Sequence, residues 1–204
     1  MIAAADAQAF ADCIASGGVA VFPADTVYGL ACGAEDSAAA DRLYALKGRA
    51  ADKPAAVMFF ALAPALAALP ELGPRTGAAL EQLLPGALTV LLPNPRRRYA
   101  AACGPDRETL GLRVPDFSGA LAALASVPRP VLQSSANLSG APDARRVDQV
   151  PESIRAGADL VLDGGERPGV ASTVLDLRGY EADGSWRILR HGAVSPAAVA
   201  RAVR

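Results

Sequence analysis

The sequence predicts one α/β domain built on a twisted sheet that mixes parallel and antiparallel strands, flanked by helices. Three observations lead there. Apolar runs of strand length recur along the chain and alternate with stretches of helical spacing. No linker, internal repeat or low-complexity tail divides the 204 residues, so a single domain over 1–204 is expected. Several apolar runs near the end follow one another without a helix between them, which predicts antiparallel neighbours in part of the sheet.

Taken in order, residues 5–16 place Phe10, Cys13 and Ile14 at helical spacing, and Gly17-Gly18 stops that helix. V-A-V-F at 19–22 is a buried strand, followed by a polar turn carrying Asp25, Thr26 and Tyr28. A helix is expected next, capped by Asp36 or Ser37, with Leu43, Tyr44 and Leu46 inward and Lys47, Arg49 and Lys53 at its end. A-A-V-M-F-F at 55–60 is a strand, and two Ala/Leu-rich helices, divided near Gly73-Pro74, run to Pro85-Gly86. Strands are expected at 87–92, 109–114 and 130–135, and weaker ones at 159–162, 173–177 and 186–189. Residues 93–106 read as a long irregular loop, and Asp116 is positioned to cap a helix over Leu121 and Leu124. Ser195-Pro196 opens a closing helix in the N-cap and N1 arrangement.

Composition removes several function classes. A net charge of −1 gives no global basic field for nucleic acid, so any RNA contact needs a local patch. Cys13, Cys32 and Cys103 are widely spaced and the chain has one histidine, which leaves neither a zinc site nor a disulfide framework. A cytoplasmic location is therefore expected. The N-terminus has no basic segment ahead of an apolar run, so no signal peptide is expected, and the Ala-rich run at 59–69 is too short and too interrupted by proline to span a membrane. Neither G-x-x-x-x-G-K-[ST] nor G-x-G-x-x-G occurs.

What remains is a set of polar residues at strand ends. Thr26 and Tyr28 follow the first strand, Ser134, Ser135 and Asn137 follow P-V-L-Q, Ser172 and Thr173 open a late strand, and Arg190 closes the last one. Each alone is the residue type of a turn or a cap, and Lys47, Arg49 and Lys53 suit a helix C-terminus. Together they suit an anionic substrate bound where strand ends converge.

At these residues the chain resembles the YrdC/TsaC family of L-threonylcarbamoyladenylate synthases. The matching elements are P-A-D-T-V-Y-G-L (23–30), L-K-G-R-x-x-D-K-P (46–54), P-G-A-L-T (85–89), L-R-V-P (112–115), S-S-A-N-L-S-G (134–140), S-T-V-L-D (172–176) and I-L-R-H-G (188–192). The family pairs a K-x-R with a distant S-x-N, here Lys47-Gly48-Arg49 and Ser135-Ala136-Asn137. The resemblance implies a YrdC-like fold with an open concave cationic cleft. It also implies an enzyme that turns ATP, L-threonine and bicarbonate into L-threonylcarbamoyl-AMP and pyrophosphate. That product would pass to the transferase machinery that makes N6-threonylcarbamoyladenosine in tRNA. Mg2+ is expected with the triphosphate, and no metal is expected to be held by the protein alone.

Position by position, the resemblance implies that Lys47 and Arg49 are catalytic. Arg49, Lys53, Thr109, Ser135, Asn137, Asp143 and Arg190 would bind ATP, and Thr26, Tyr28, Arg113 and Ser172 would bind threonine. Some positions depart from the family pattern. Ala24 and Ala50 replace Thr and Pro, Met58 stands where longer relatives have a threonine-contacting His, and Asp143 puts an acid where a Ser often meets ATP. His191 replaces Pro or Gln after the last Arg. The chain resembles the short, single-domain form, for which residues 93–106, with Arg96-Arg97-Arg98, are the candidate lid or RNA contact. The competing assignments are an RNA-binding or ribosome-associated module of the same fold, and the carbamoyl-transfer domain of hydrogenase maturation proteins. The latter carries acylphosphatase and Cys-rich parts that are absent from this sequence.

Overall fold

The structure is a computed structural model and describes residues 1–50 and 53–203. Helix α1 (Ala4–Ala15) leads into strand β1 (Ala20–Pro23), which turns directly into β2 (Tyr28–Gly33). Helix α2 (Ser37–Lys47) follows, with the Asp36 side chain accepting from the Ala39 N–H as its N-cap. Its C-cap is Gly48 at φ 58°, a left-handed conformation that disfavours other residues and turns the chain sharply between Lys47 and Arg49. Next come β3 (Ala56–Met58), α3 (Leu62–Ala68), α4 (Pro74–Leu83), β4 (Leu88–Pro93), α5 (Ala100–Cys103) and β5 (Thr109–Arg113). A 3-10 segment (Gly119–Ser126) precedes β6 (Val131–Ser135). The chain closes with α6 (Glu152–Gly157), β7 (Leu160–Val161), β8 (Thr173–Asp176), α7 (Tyr180–Asp183), β9 (Arg187–Arg190) and α8 (Pro196–Ala202).

The strands form one sheet in the order β7-β1-β2-β6-β3-β5-β4-β8-β9. The β1–β7, β3–β5 and β4–β8 pairs are parallel; β1–β2, β2–β6, β3–β6, β4–β5 and β8–β9 are antiparallel. The expected mixed sheet is therefore present. Among the described residues no helix is long and apolar enough to cross a membrane.

Two apolar layers cover the sheet unequally. One face packs Leu30, Val57, Val90, Leu112, Leu132 and Leu175 against Leu43, Leu80 and Leu83 of α2 and α4. The other face carries an aromatic cluster: Phe10 lies 5.0 Å from Phe22 and 5.6 Å from Phe60, and Phe60 stacks on Phe117 at 5.3 Å. That second layer covers the β1–β2–β6 side and reaches Met58 of β3. Strand β4 shows the consequence in its period of two: Leu88, Val90 and Leu92 are buried against the helices, while Thr89, Leu91 and Pro93 are half-buried on the side without them. The uncovered part of this face is where the site forms.

Several expectations need correction. Residues 28–33 are a strand, not part of a turn leading to a helix. Both faces of β2 are buried, so Y-G-L-A-C-G shows none of the alternation that marks a half-exposed strand. The helix over Leu121 and Leu124 is 3-10, with Ser118 rather than Asp116 at its N-cap. Residues 93–106 are not irregular throughout, since they contain α5. Buried Asn94 donates to the Arg98 and Arg107 carbonyls at 3.0 and 2.9 Å and accepts from the Arg98 N–H at 3.0 Å, which ties the segment down around α5.

Candidate active site

A cavity of about 440 Å³ opens on the uncovered sheet face. Residues on the same side of neighbouring strands line its floor: Gln133 and Ser135 from β6, Ala56 from β3, Thr109, Gly111 and Arg113 from β5, and Thr89 and Leu91 from β4. Ser172, just ahead of β8, and Val174 within it continue the floor, and Thr26, Arg49, Asp143, Arg178 and Arg190 form the walls. The register sets a long axis. Met58 pairs with Arg113 and Pro93 with Thr109, so Arg113 and Thr109 mark opposite ends of β5, about 13 Å apart at strand rise.

Arg113 is 4% exposed and held from two sides. Its Nη2 donates to Asp25 Oδ1 at 2.7 Å and to Thr26 Oγ1 at 3.4 Å, and Nη1 donates to Gln133 Oε1 at 3.3 Å. Its buried Nε has no protein partner, nor has Asp25 Oδ2. A guanidinium fixed in orientation with a donor to spare is suited to a planar carboxylate. Burial pushes the Asp25 carboxyl above its ordinary value, with Arg113 acting in the opposite direction. Beside this pair, Ser172 Oγ lies 2.8 Å from Thr89 Oγ1, and Arg190 Nη2 donates to the Ser172 carbonyl and Oγ at 2.9 and 3.2 Å. Arg190 has no carboxylate partner among the described residues, so its charge is available.

Lys47 and Arg49 separate. Lys47 is 2% exposed, and its Nζ donates to Ser135 O at 2.6 Å, Asn137 O at 2.8 Å and Asn137 Oδ1 at 2.5 Å, with Ser135 Oγ at 3.3 Å. Ser135 Oγ in turn donates to Asn137 Oδ1 at 2.7 Å, and Asn137 Nδ2 donates to the Ala141 carbonyl. Burial draws the Lys47 pKa down to about 8, with Arg49 adding to the shift and Asp143 opposing it. The ammonium is thus spent on shaping the S-A-N loop, and neither Lys47 nor Asn137 lines the cavity. Arg49 does line it, donating to the Pro54 and Lys53 carbonyls at 2.6 and 3.4 Å.

Thr26, Arg49, Thr109, Arg113, Ser135, Asp143, Ser172 and Arg190 therefore share one cavity, as the sequence places them together. Lys53 is exposed and outside its lining, and Ala51 and Asp52 of the same motif lie outside the described residues. Tyr28 is directed elsewhere: its buried hydroxyl donates toward Asp163 Oδ1 at 3.0 Å and the Gly165 carbonyl at 2.9 Å, and it accepts from the Gly164 N–H at 3.1 Å. Arg96, Arg97 and Arg98 are also outside the lining, with Arg98 and Arg97 on Glu71 and Glu108 at 3.3 and 3.0 Å. Sequence reasoning missed Gln133, Thr89, Asp106 and Arg178. Gln133 alternates with buried Leu132 and precedes the S-x-N, a signal that was present. Arg178 stands two residues beyond S-T-V-L-D, where no motif marks it.

Comparison with known proteins follows the same lines. The family model Sua5_yciO_yrdC, described as "Telomere recombination", matches residues 12–192. Threonylcarbamoyl-AMP synthase of Pyrococcus abyssi is 33% identical over 165 residues, covering 80% of this chain and 48% of that protein. The Bacillus subtilis threonylcarbamoyl-AMP synthase is 31% identical over 185 residues, covering 87% of this chain and 50% of that protein. The chain thus spans about half the length of these two relatives. The structure of P. abyssi Sua5 complexed with L-threonine superposes with a TM-score of 0.84 at 28% identity, over 99% of this chain and 58% of that one. E. coli YciO shares the fold, with a TM-score of 0.79 at 22% identity over 98% and 95% of the two chains. The chain belongs to the Sua5/YciO/YrdC family.

Proposed function

We propose that the chain is an L-threonylcarbamoyladenylate synthase, a nucleotidyltransferase that joins L-threonine, bicarbonate and ATP. The observation that carries this is Arg113: a buried, pre-oriented guanidinium with an unpartnered Nε, set between hydroxyls and next to the unpaired charge of Arg190. The threonine carboxylate is assigned to Arg113, and Thr26 and Ser172 are in reach of its hydroxyl and amine. The amine takes up bicarbonate with loss of water, the carbamate oxygen attacks the α-phosphorus, and pyrophosphate leaves. No protein nucleophile is needed. Catalysis then consists of holding two anions in line and stabilising phosphate charge, which Arg49 and Arg190 are positioned to do.

Magnesium enters with the triphosphate. Among the described residues no group of three His, Cys, Asp or Glu is placed to hold a metal, so these residues do not fit a resident metal centre. Phosphate oxygens and water supply the ligands such an ion prefers. The product, a mixed anhydride, is a donor for the transferase step that modifies tRNA.

Purified protein incubated with ATP, L-threonine and bicarbonate is expected to release pyrophosphate and form threonylcarbamoyl-AMP. Pyrophosphate release that does not depend on threonine, or no release, would sink the proposal.

A further inference from the structure

The end of the cavity opposite Arg113 has a different electrostatic character. Arg178 lines it and is held edge-on by Asp176: Nε donates to Oδ1 at 2.9 Å and Nη2 to Oδ2 at 2.8 Å. Its Nη1 donates to Thr109 Oγ1 at 3.2 Å, and that hydroxyl donates to Asp106 Oδ2 at 2.7 Å. Arg187 Nε also reaches Asp176 Oδ2, at 3.1 Å. The guanidinium is therefore fixed in orientation. One N–H remains on each of Nη1 and Nη2, and the side chain is 37% exposed.

Charge decides what such a group recognises. Two guanidiniums, Arg178 and Arg187, face two carboxylates, Asp176 and Asp106, and the set is neutral. A phosphate requires uncompensated positive charge, which this end does not offer and Arg190 does. A neutral flat ring with nitrogen acceptors suits the fixed guanidinium plane and its two remaining donors. Vicinal hydroxyls suit Asp106, an exposed carboxylate with acceptor capacity beyond its bonds from the Thr109 hydroxyl and the Glu108 N–H.

We propose that Asp106 and Arg178 form the nucleoside-recognition end of the cavity, with Arg178 reading the base and Asp106 the sugar hydroxyls. This rests on the adenylate-forming assignment above and adds two residues that the family motifs do not contain. It also fixes the substrate's direction, with the amino acid at Arg113, phosphates between, and the nucleoside at Thr109.

Equilibrium titration of the full chain with ATP, adenosine and inorganic tripolyphosphate tests it. Arg178→Met is expected to weaken ATP and adenosine about tenfold and to leave tripolyphosphate within about twofold of the unmodified chain. Arg178→Lys keeps a cation opposite Asp176, so it guards against misfolding; without the planar fork it is expected to show the same selective loss. Asp106→Asn is expected to abolish any preference for ATP over 2′,3′-dideoxy-ATP. Tripolyphosphate weakened as much as ATP would make Arg178 a phosphate contact and overturn the proposal, as would unchanged ATP affinity in both Arg178 variants. If the unmodified chain still releases threonine-dependent pyrophosphate, that failure belongs to this proposal alone. No ATP binding by the unmodified chain would overturn both.

Discussion

Lys47 and Arg49 lie two residues apart in one motif, yet they occupy opposite environments. Lys47 sits sealed beneath the S-A-N loop with oxygen acceptors for all its N–H bonds, whereas Arg49 turns into the open cavity and meets only backbone carbonyls among the described residues. Gly48 makes the difference, because its left-handed conformation ends α2 and reverses the chain between them. One cation of the pair builds the site and the other is left to act in it. The same charge, bought out by neutral oxygens in one place and left available in another, separates architecture from chemistry.

That contrast can be broken most forcefully at Lys47. Lys47→Met leaves the Ser135 and Asn137 carbonyls without this donor in a buried place, while Asn137 Oδ1 keeps its bond from Ser135 Oγ. It is expected to cost about 2–6 kcal/mol of stability, at one to three kcal/mol for each of the two carbonyls, read as a lowered urea midpoint. Activity should fall with it because Ser135 moves. Arg49→Ala should behave in the opposite way: near-normal unfolding, but a loss of at least about 2 kcal/mol of transition-state stabilisation in kcat/KM. If Lys47→Met proved as stable as the unmodified chain while losing turnover, Lys47 would be a direct phosphate contact and the contrast would collapse.

Much of the fold was legible because most segments carry one clear period. The strand expected at 87–92 and the Asp36 and Ser195 caps are written in local sequence and recur in the structure. Strand β2 was not legible, since burial on both faces erases the period of two and Tyr28-Gly29 mimics a turn. Residues 93–106 read as irregular for a related reason: buried Asn94, together with Ala102 and Cys103 of α5, orders them, and a Pro- and Arg-rich composition hides this. The site was legible as a set of members but not as roles. Motif spacing brings Thr26, Arg113, Ser172 and Arg190 to one cavity, yet only three-dimensional packing shows that Lys47 is consumed, that Tyr28 points at the 163–165 turn, and that Arg178 joins from beyond a motif.

A smaller effect sharpens the assignment of Arg113. Arg113→Lys keeps a positive charge near Asp25 but loses the fork that meets Gln133 and leaves Nε free. Threonine KM is expected to rise about tenfold, roughly 1.4 kcal/mol, with ATP KM changed much less. Steady-state kinetics with each substrate varied in turn reads the split. A larger rise for ATP would move Arg113 to the nucleotide.

The smallest expected effect concerns acid stability and the paired end of the cavity. Hydrogen bonds from Arg178, with Arg187 assisting, hold the Asp176 pKa at about 2, below its ordinary 3.8. A carboxyl whose pKa is depressed on folding binds protons more readily in the unfolded chain. Its contribution to stability is therefore complete above about pH 4 and disappears as pH falls toward 2. Asp176→Asn removes this titration but leaves two guanidiniums facing an amide. It should lower stability at neutral pH and flatten the decline in unfolding free energy between about pH 4 and pH 2, measured by urea denaturation at each pH. Arg178→Met should flatten the same window only partly, because Arg187 still reaches Asp176 Oδ2. An unchanged acid limb in Asp176→Asn would mean that another carboxylate governs it and that the Arg178–Asp176 pair fixes geometry without contributing measurably to stability.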